Sequence, residues 1–213
     1  MSRFRARRGP RAGSGPDRQR GQSLVEFALI LPVLLMLLLG LIEFGFVFAH
    51  HQGLEYATRE GARTASALAN GQNGQNGAPV ATACTTIDDQ VIAAVQRVIT
   101  GTGSLLVLGN ISQIRIYKYD DATGAPATPA ANYVNVWTPV SSGGAVVDGT
   151  ALKFARTSGT WNACTRLNGL TPDSVGVDVT YSYTFVTGLG SLLRWAGVTT
   201  LSMKDNTVMV LNP

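Results

Sequence analysis

A chain of 213 residues that is 45% hydrophobic and only 14% charged is long enough for a folded domain with its own core, and too apolar for a wholly disordered protein. The net charge of +4 is unevenly placed: residues 1 to 21 hold Arg3, Arg5, Arg7, Arg8, Arg11, Arg18 and Arg20 against Asp17, a local +6, so the remainder carries −2. The basicity is local: a block of arginines with Gly and Pro could be the arm of a cytoplasmic nucleic-acid protein, but immediately before an apolar span the positive-inside rule explains it with no further assumption.

Residues 1–20 have no apolar periodicity and are rich in Arg, Gly and Pro, which predicts a disordered basic leader, 1–21. The apolar stretch begins directly after it. From Phe27 to Ala49 there are 23 residues with one ionisable side chain, Glu43. At ~1.5 Å per residue they reach about 34 Å, enough to cross a ~30 Å hydrocarbon core. The arginine block on its N-terminal side then places the N-terminus in the cytoplasm and everything after residue 50 outside. Pro32 removes a backbone hydrogen bond and predicts a bend, and Gly40 and Gly45, five apart, make no GxxxG face.

The entry to this span carries more information than its length. Gly21 is followed by Gln22, Ser23, Leu24, Val25 and Glu26, a carboxylate at the threshold of an apolar run, where burial is costly without a partner. Were the chain cut after Gly21, the new amine of Gln22 and the carboxylate of Glu26 would stand at i and i+4 on one helix face, able to neutralise one another within a subunit or between neighbours. A competing signal exists at Val47-Phe48-Ala49 before His50, whose small last residue suits an ordinary signal peptidase. Cleavage there would release a secreted binding module. An apolar region of 23 residues exceeds the ~7–15 of a secretory signal, which favours the membrane span.

Beyond the span, Leu54, Ala57, Gly61, Ala65 and Leu68 recur at helical spacing, and Glu55 with Arg59 forms a favourable i, i+4 pair, so the helix is expected to continue to about residue 69. Its stripe of small residues invites close approach of another helix, either the chain's own second helix or a neighbouring subunit. The two stretches GQSLVEFALILPVLL and EYATREGAR together resemble the TadE-like pseudopilin family of tight-adherence (Flp-type) pili. The resemblance covers residues 21 to about 66. It implies removal of the leader after Gly21 by a membrane prepilin peptidase, a class III signal with Gly21 and Gln22 at the cut, and Glu26 as the subunit-pairing carboxylate. It further implies partnership with the lipid bilayer, other pilin-like subunits and pilus assembly proteins.

GQNGQNG, Gly71 to Gly77, has no apolar content and predicts a flexible linker over 70–83. A second helix is expected over 85–100, with Thr85 or Thr86 as cap, Asp88 and Asp89 in the first turn, an apolar face of Ile87, Val91, Ala94, Val95 and Val98, and Gly101 as stop. Strands follow around Ile114 and Ile116, around Val134 and Val136, and from Leu152 to Ala155. The strongest runs through Val175, Val177, Val179, Tyr181, Tyr183 and Phe185 at period two, the pattern of a half-buried antiparallel strand. Two short segments, Thr199–Met203 and Thr207–Leu211, end the chain as a strand pair. The ten-residue connection Gly188 to Gly197 carries Leu189, Leu192, Leu193 and Trp195; it is either a buried turn or a docking tip for a subunit or the outer leaflet.

The fold class is therefore α+β: a transmembrane helix extended into a long helix, residues 22–69, and an extracytoplasmic antiparallel sheet domain with one packed helix, 84–213. Cys84 and Cys164 both lie on the exterior side, where a disulfide is expected, the alternative being two buried thiols. Little points to catalysis. The two histidines, His50 and His51, sit together at the membrane exit, which leaves the folded domain without a His-based triad or an ordinary zinc site. Asp88-Asp89 and Asp120-Asp121 read as solvated helix-start and turn residues, and Gly101-Thr102-Gly103-Ser104 lacks the Lys of a P-loop. No enzyme activity, cofactor, metal or nucleic acid is expected.

Overall fold

In the computed structural model, residues 17–68, 84–169 and 171–211 are described. The leader before residue 17 and the expected linker 70–83 lie outside them. Helix α1, Asp17–Ala67, is a single helix of 51 residues that runs unbroken through Gly21 and Pro32. Helix α2, Ile87–Thr100, follows. Then come β1 (Ile111–Asp120), β2 (Ala125–Pro126), the short α3 (Ala130–Tyr133), β3 (Val134–Pro139), β4 (Val146–Val147), β5 (Thr150–Ala151) and β6 (Phe154–Ser158). Strand β7 (Ser174–Thr184), helix α4 (Leu189–Trp195) and β8 (Thr200–Val210) complete the order.

The main sheet is antiparallel, in the order β6-β3-β1-β7-β8, with β2 on the end of β1. Period two in β7 sets its two faces. Val175, Val177, Val179, Tyr181 and Tyr183 are buried against the helices together with Ile114, Ile116 and Trp137. On the other face Arg115 grips the buried carboxylate of Asp178 with two nitrogens, and Lys204 approaches the same group at 3.3 Å. Tyr117 crosses Gly176 on that face so closely that an added Cβ would meet its ring at 2.2 Å, so any larger residue here would have to displace the Tyr117 ring.

The chain's last strand departs from expectation. Thr200–Val210 is one continuous strand paired along the whole of β7, from Thr184↔Thr200 to Ser174↔Val210. The gap between the two expected segments is Lys204-Asp205-Asn206, and these polar residues are used across the sheet and helix: Lys204 on Asp178, Asp205 on Thr58, Asn206 on Tyr117.

The core is shared between the long helix and the rest. Leu54, Ala57, Ala62 and Ala65 of α1 pack with Val91, Ile92, Val95 and Ile99 of α2 and with the inner face of β7. Small residues make this possible. A Cβ on Gly61 would lie 2.6 Å from Val95 Cγ2 and 3.1 Å from Val177 Cγ1, so the glycine permits the three-way contact of α1, α2 and β7. The stripe of small residues is therefore filled from within the chain. In α2, Ile92 and Ile99 join the expected face, while Val98 is only partly buried.

Candidate functional site

The site is α1 itself, read from its N-terminal end toward the domain. Gln22 Nε2 donates to Glu26 Oε1 at 3.1 Å, a side-chain amide bond at i, i+4 in the uncut chain, with both residues exposed. From Phe27 onward, Leu29, Ile30, Val33, Leu34, Met36, Leu37 and Leu41 project outward and are each more than half exposed. Gly21 and Gly40 have open space around them, and Phe27 and Pro32 lie in the same uncovered stretch. From Gly21 onward α1 is long and apolar enough to cross a membrane, and none of the described residues covers its apolar window.

Cover begins at Glu43. This residue, expected to lie inside the span, is buried by the domain, and its carboxylate is met from three directions. Tyr183 Oη donates to Oε1 at 2.5 Å, Val186 N–H donates to the same oxygen at 2.9 Å, and Thr187 N–H donates to Oε2 at 2.8 Å. Burial, followed by this bond to Glu43, pushes the Tyr183 phenol well above its usual range. One turn pair further along, Ala49 is half-buried and His50 is buried, its ring edge-on to Tyr183 at 4.9 Å and tilted on Tyr181 at 5.8 Å. His50 Nδ1 lies 2.7 Å from the carbonyl of Phe46; because a carbonyl can only accept, Nδ1 carries the proton. The reason sequence alone placed Glu43 in lipid is plain: its partners come 140 or more positions later.

The second half of α1 has two faces. Ala57, Thr58, Gly61, Ala62 and Ala65 face the core. Thr58 donates its single hydroxyl proton to Asp205 Oδ2 at 2.5 Å, which leaves Thr207 to donate to Thr58 at 3.0 Å. Ser66 Oγ donates to the Val210 carbonyl at 2.6 Å. On the outer face, Tyr56 is exposed, Arg59 pairs with Glu55, and Arg63 forms a two-pronged pair with Glu60 that holds the Glu60 carboxyl below its usual range. These pairs are solvated and contribute little to stability individually.

The domain's far side is tied by the Cys84–Cys164 disulfide, 80 residues apart in sequence. Beside it Asp88, read from sequence as a solvated helix-start residue, is buried instead. It accepts from Asn135 Nδ2 at 3.0 Å and pairs with Arg166 at 2.7 Å, while the Arg166 guanidinium stacks 4.0 Å from the Trp161 ring centre. Burial, and then the nearby Asp88 charge, raise the neighbouring Asp89 carboxyl. Asp120 remains a turn residue, accepting from Ala122 N–H at 3.0 Å. No sequence signal linked Asp88 to Arg166, since the pair joins a helix to a loop that has no periodicity.

The connection Gly188–Gly197 folds as α4. Trp195 is 92% exposed and Leu193 is half-buried, while the side chains of Leu189 and Leu192 lie outside the described set. The two residues just before it, Val186 and Thr187, are those whose N–H groups bind Glu43, so the connection begins beside α1 where the bare apolar stretch ends.

No curated protein and no solved structure matches the chain. Residues 21–63, the uncovered half of α1 and the domain-packed motif that follows it, match the model of the family described as TadE-like protein, and over that helix the chain is similar to this family.

Proposed function

We propose that this protein is a membrane-anchored, non-enzymatic pilin-like subunit that takes part in assembling a tight-adherence type pilus. The observation that carries the reading is the division of the family-matched helix. Its first half is bare apolar surface headed by Glu26, and its second half is built into the domain core. A soluble protein would bury such a stretch; a pilin-like subunit leaves it for lipid in the membrane and for neighbouring helices in an assembly. In this reading a prepilin peptidase removes the basic leader after Gly21, the arginines having held the N-terminus in the cytoplasm, and the domain is extracytoplasmic, where its disulfide is stable. Glu26 then pairs with the new N-terminus of its own or a neighbouring subunit.

The alternative, a secreted binding module cut after Ala49, is disfavoured by one observation. That cut would remove Glu43, the acceptor of the buried Tyr183 hydroxyl and of the part-buried Val186 and Thr187 N–H groups, and so take apart the joint between α1 and the end of β7. The test is Glu26→Ala in cells. The change removes a charge from the span, so membrane insertion is retained, while co-purification with pilus components is lost. Normal co-purification of the variant would contradict the assignment.

A further inference from the structure

We infer that the β7–α4–β8 connection, residues 185–199, docks on the surface of the same bilayer that α1 crosses, with Trp195 seated among the lipid headgroups. The inference rests on the membrane-anchored reading and adds to it a second, peripheral membrane contact.

Three observations carry it. The first is direction. Strands β7 and β8 lie along α1: Ser66 bonds Val210 at one end, Thr58 meets Asp205 and Thr207 midway, and Glu43 holds Val186 and Thr187 at the other. The connection is thus the end of the sheet nearest the bare apolar stretch.

The second is level. A helix needs about 22 residues, ~33 Å, to cross the hydrocarbon core. Counted from Gly21 such a span ends at Ile42; counted from Phe27 it ends at Phe48, and Phe44 and Phe48 are indeed exposed on the outer face of α1. The first frame puts the lipid boundary at Glu43, level with Val186 and Thr187, and the second puts it about 7.5 Å further along α1, so in both frames the connection reaches the bilayer. The three hydrogen bonds to Glu43 let a carboxylate stand there without facing hydrocarbon.

The third is surface chemistry. Trp137 and Trp161 are buried, whereas Trp195 stands 92% exposed, with Val186 at 64%, Val198 at 43% and Leu201 at 39% in the same connection and its flank. Arg194 precedes the tryptophan at the end of α4. An apolar ring with one N–H donor, a basic residue beside it and aliphatic neighbours is the composition of a membrane-interface anchor: the ring enters the headgroup layer and the guanidinium reaches phosphate. The lipid that must cover the first half of α1 is continuous with this patch.

The experiment uses the full chain in phosphatidylcholine vesicles, with and without acyl chains brominated near the headgroup. Co-flotation with the vesicles reports the span. Quenching of tryptophan emission by the brominated lipid reports the connection, and Trp195→Phe identifies the source, since the other two tryptophans are buried. The expected result is flotation of both proteins, strong quenching in the wild type, and loss of most of the quenched signal in the variant. Flotation with equal, weak quenching of both proteins overturns the docking while leaving the span intact. Failure to float overturns both. Protection of Trp195 from aqueous iodide that rises with the protein-to-lipid ratio would assign the cover to a second copy and also overturn it.

Discussion

The hydroxyl of Tyr183 donates to the carboxylate of Glu43 at 2.5 Å, joining the end of β7 to a residue 140 positions earlier on α1. With the N–H groups of Val186 and Thr187 on the same carboxylate, this is where the lipid-facing half of the helix becomes part of the domain. Glu43→Ala leaves the buried Tyr183 hydroxyl and the part-buried Val186 and Thr187 N–H groups without their acceptor. The expected loss is about 2–4 kcal/mol of domain stability, read by denaturant unfolding in detergent, with Glu43→Gln losing less because its amide oxygen still accepts. Equal stability of wild type and alanine variant would mean that the joint contributes nothing.

Gly61→Ala tests the three-way contact. Replacing glycine within a helix ordinarily gains up to ~1 kcal/mol, but the new methyl would stand 2.6 Å from Val95 Cγ2. Overpacking of ~1–3 kcal/mol outweighs that gain, so the variant is less stable. Adding Val95→Ala makes room, and the double variant should lose less than the sum of the two single losses. Strict additivity would show that the helices do not press on one another at this point.

Alkaline pH separates the buried phenols from the rest. Burial raises both Tyr183, further held up by its bond to Glu43, and Tyr117 above the ordinary tyrosine value. A group raised in the folded state stabilises fully below its unfolded pKa, about 10 for tyrosine, and that contribution is lost as pH rises through the folded value. The melting temperature should therefore fall as pH rises above about 10, and less steeply in Tyr183→Phe. Identical slopes would contradict the burial of this phenol at the joint.

Much of this architecture was legible in the sequence, because local pattern dictated it. The apolar run after Phe27, the small-residue stripe through Ala57 and Gly61, and the alternation of Val175 to Tyr183 each follow from one periodicity within one element. What was hidden depends on partners distant in sequence. Glu43 read as an intramembrane charge because Tyr183 and Val186 were out of view, and Asp88 read as solvated because Arg166 arrives from a loop. Strand β8 read as two pieces because Lys204, Asp205 and Asn206 look like a turn until Asp178, Thr58 and Tyr117 are placed beside them. Tertiary contacts override local polarity at these positions.

The Cys84–Cys164 bond closes a long loop and joins the start of α2 to the segment holding Arg166. The chain-entropy estimate for a loop of this length is ~4.5 kcal/mol, and measured values commonly fall at 2–4. Cys84→Ser with Cys164→Ser should lower the unfolding midpoint accordingly, with the same shift produced in the wild type by reductant. An unchanged midpoint under both conditions would show that the bond does not stabilise the domain.

The most direct measurement is the N-terminal sequence of the mature protein recovered from the membrane fraction. Processing as a pilin-like subunit predicts a chain that begins at Gln22, five residues before Phe27, retaining the whole apolar helix and the Glu43 joint, and predicts that Gly21→Leu blocks the cut. A mature chain that begins at His50, or one processed identically in Gly21→Leu, would contradict it.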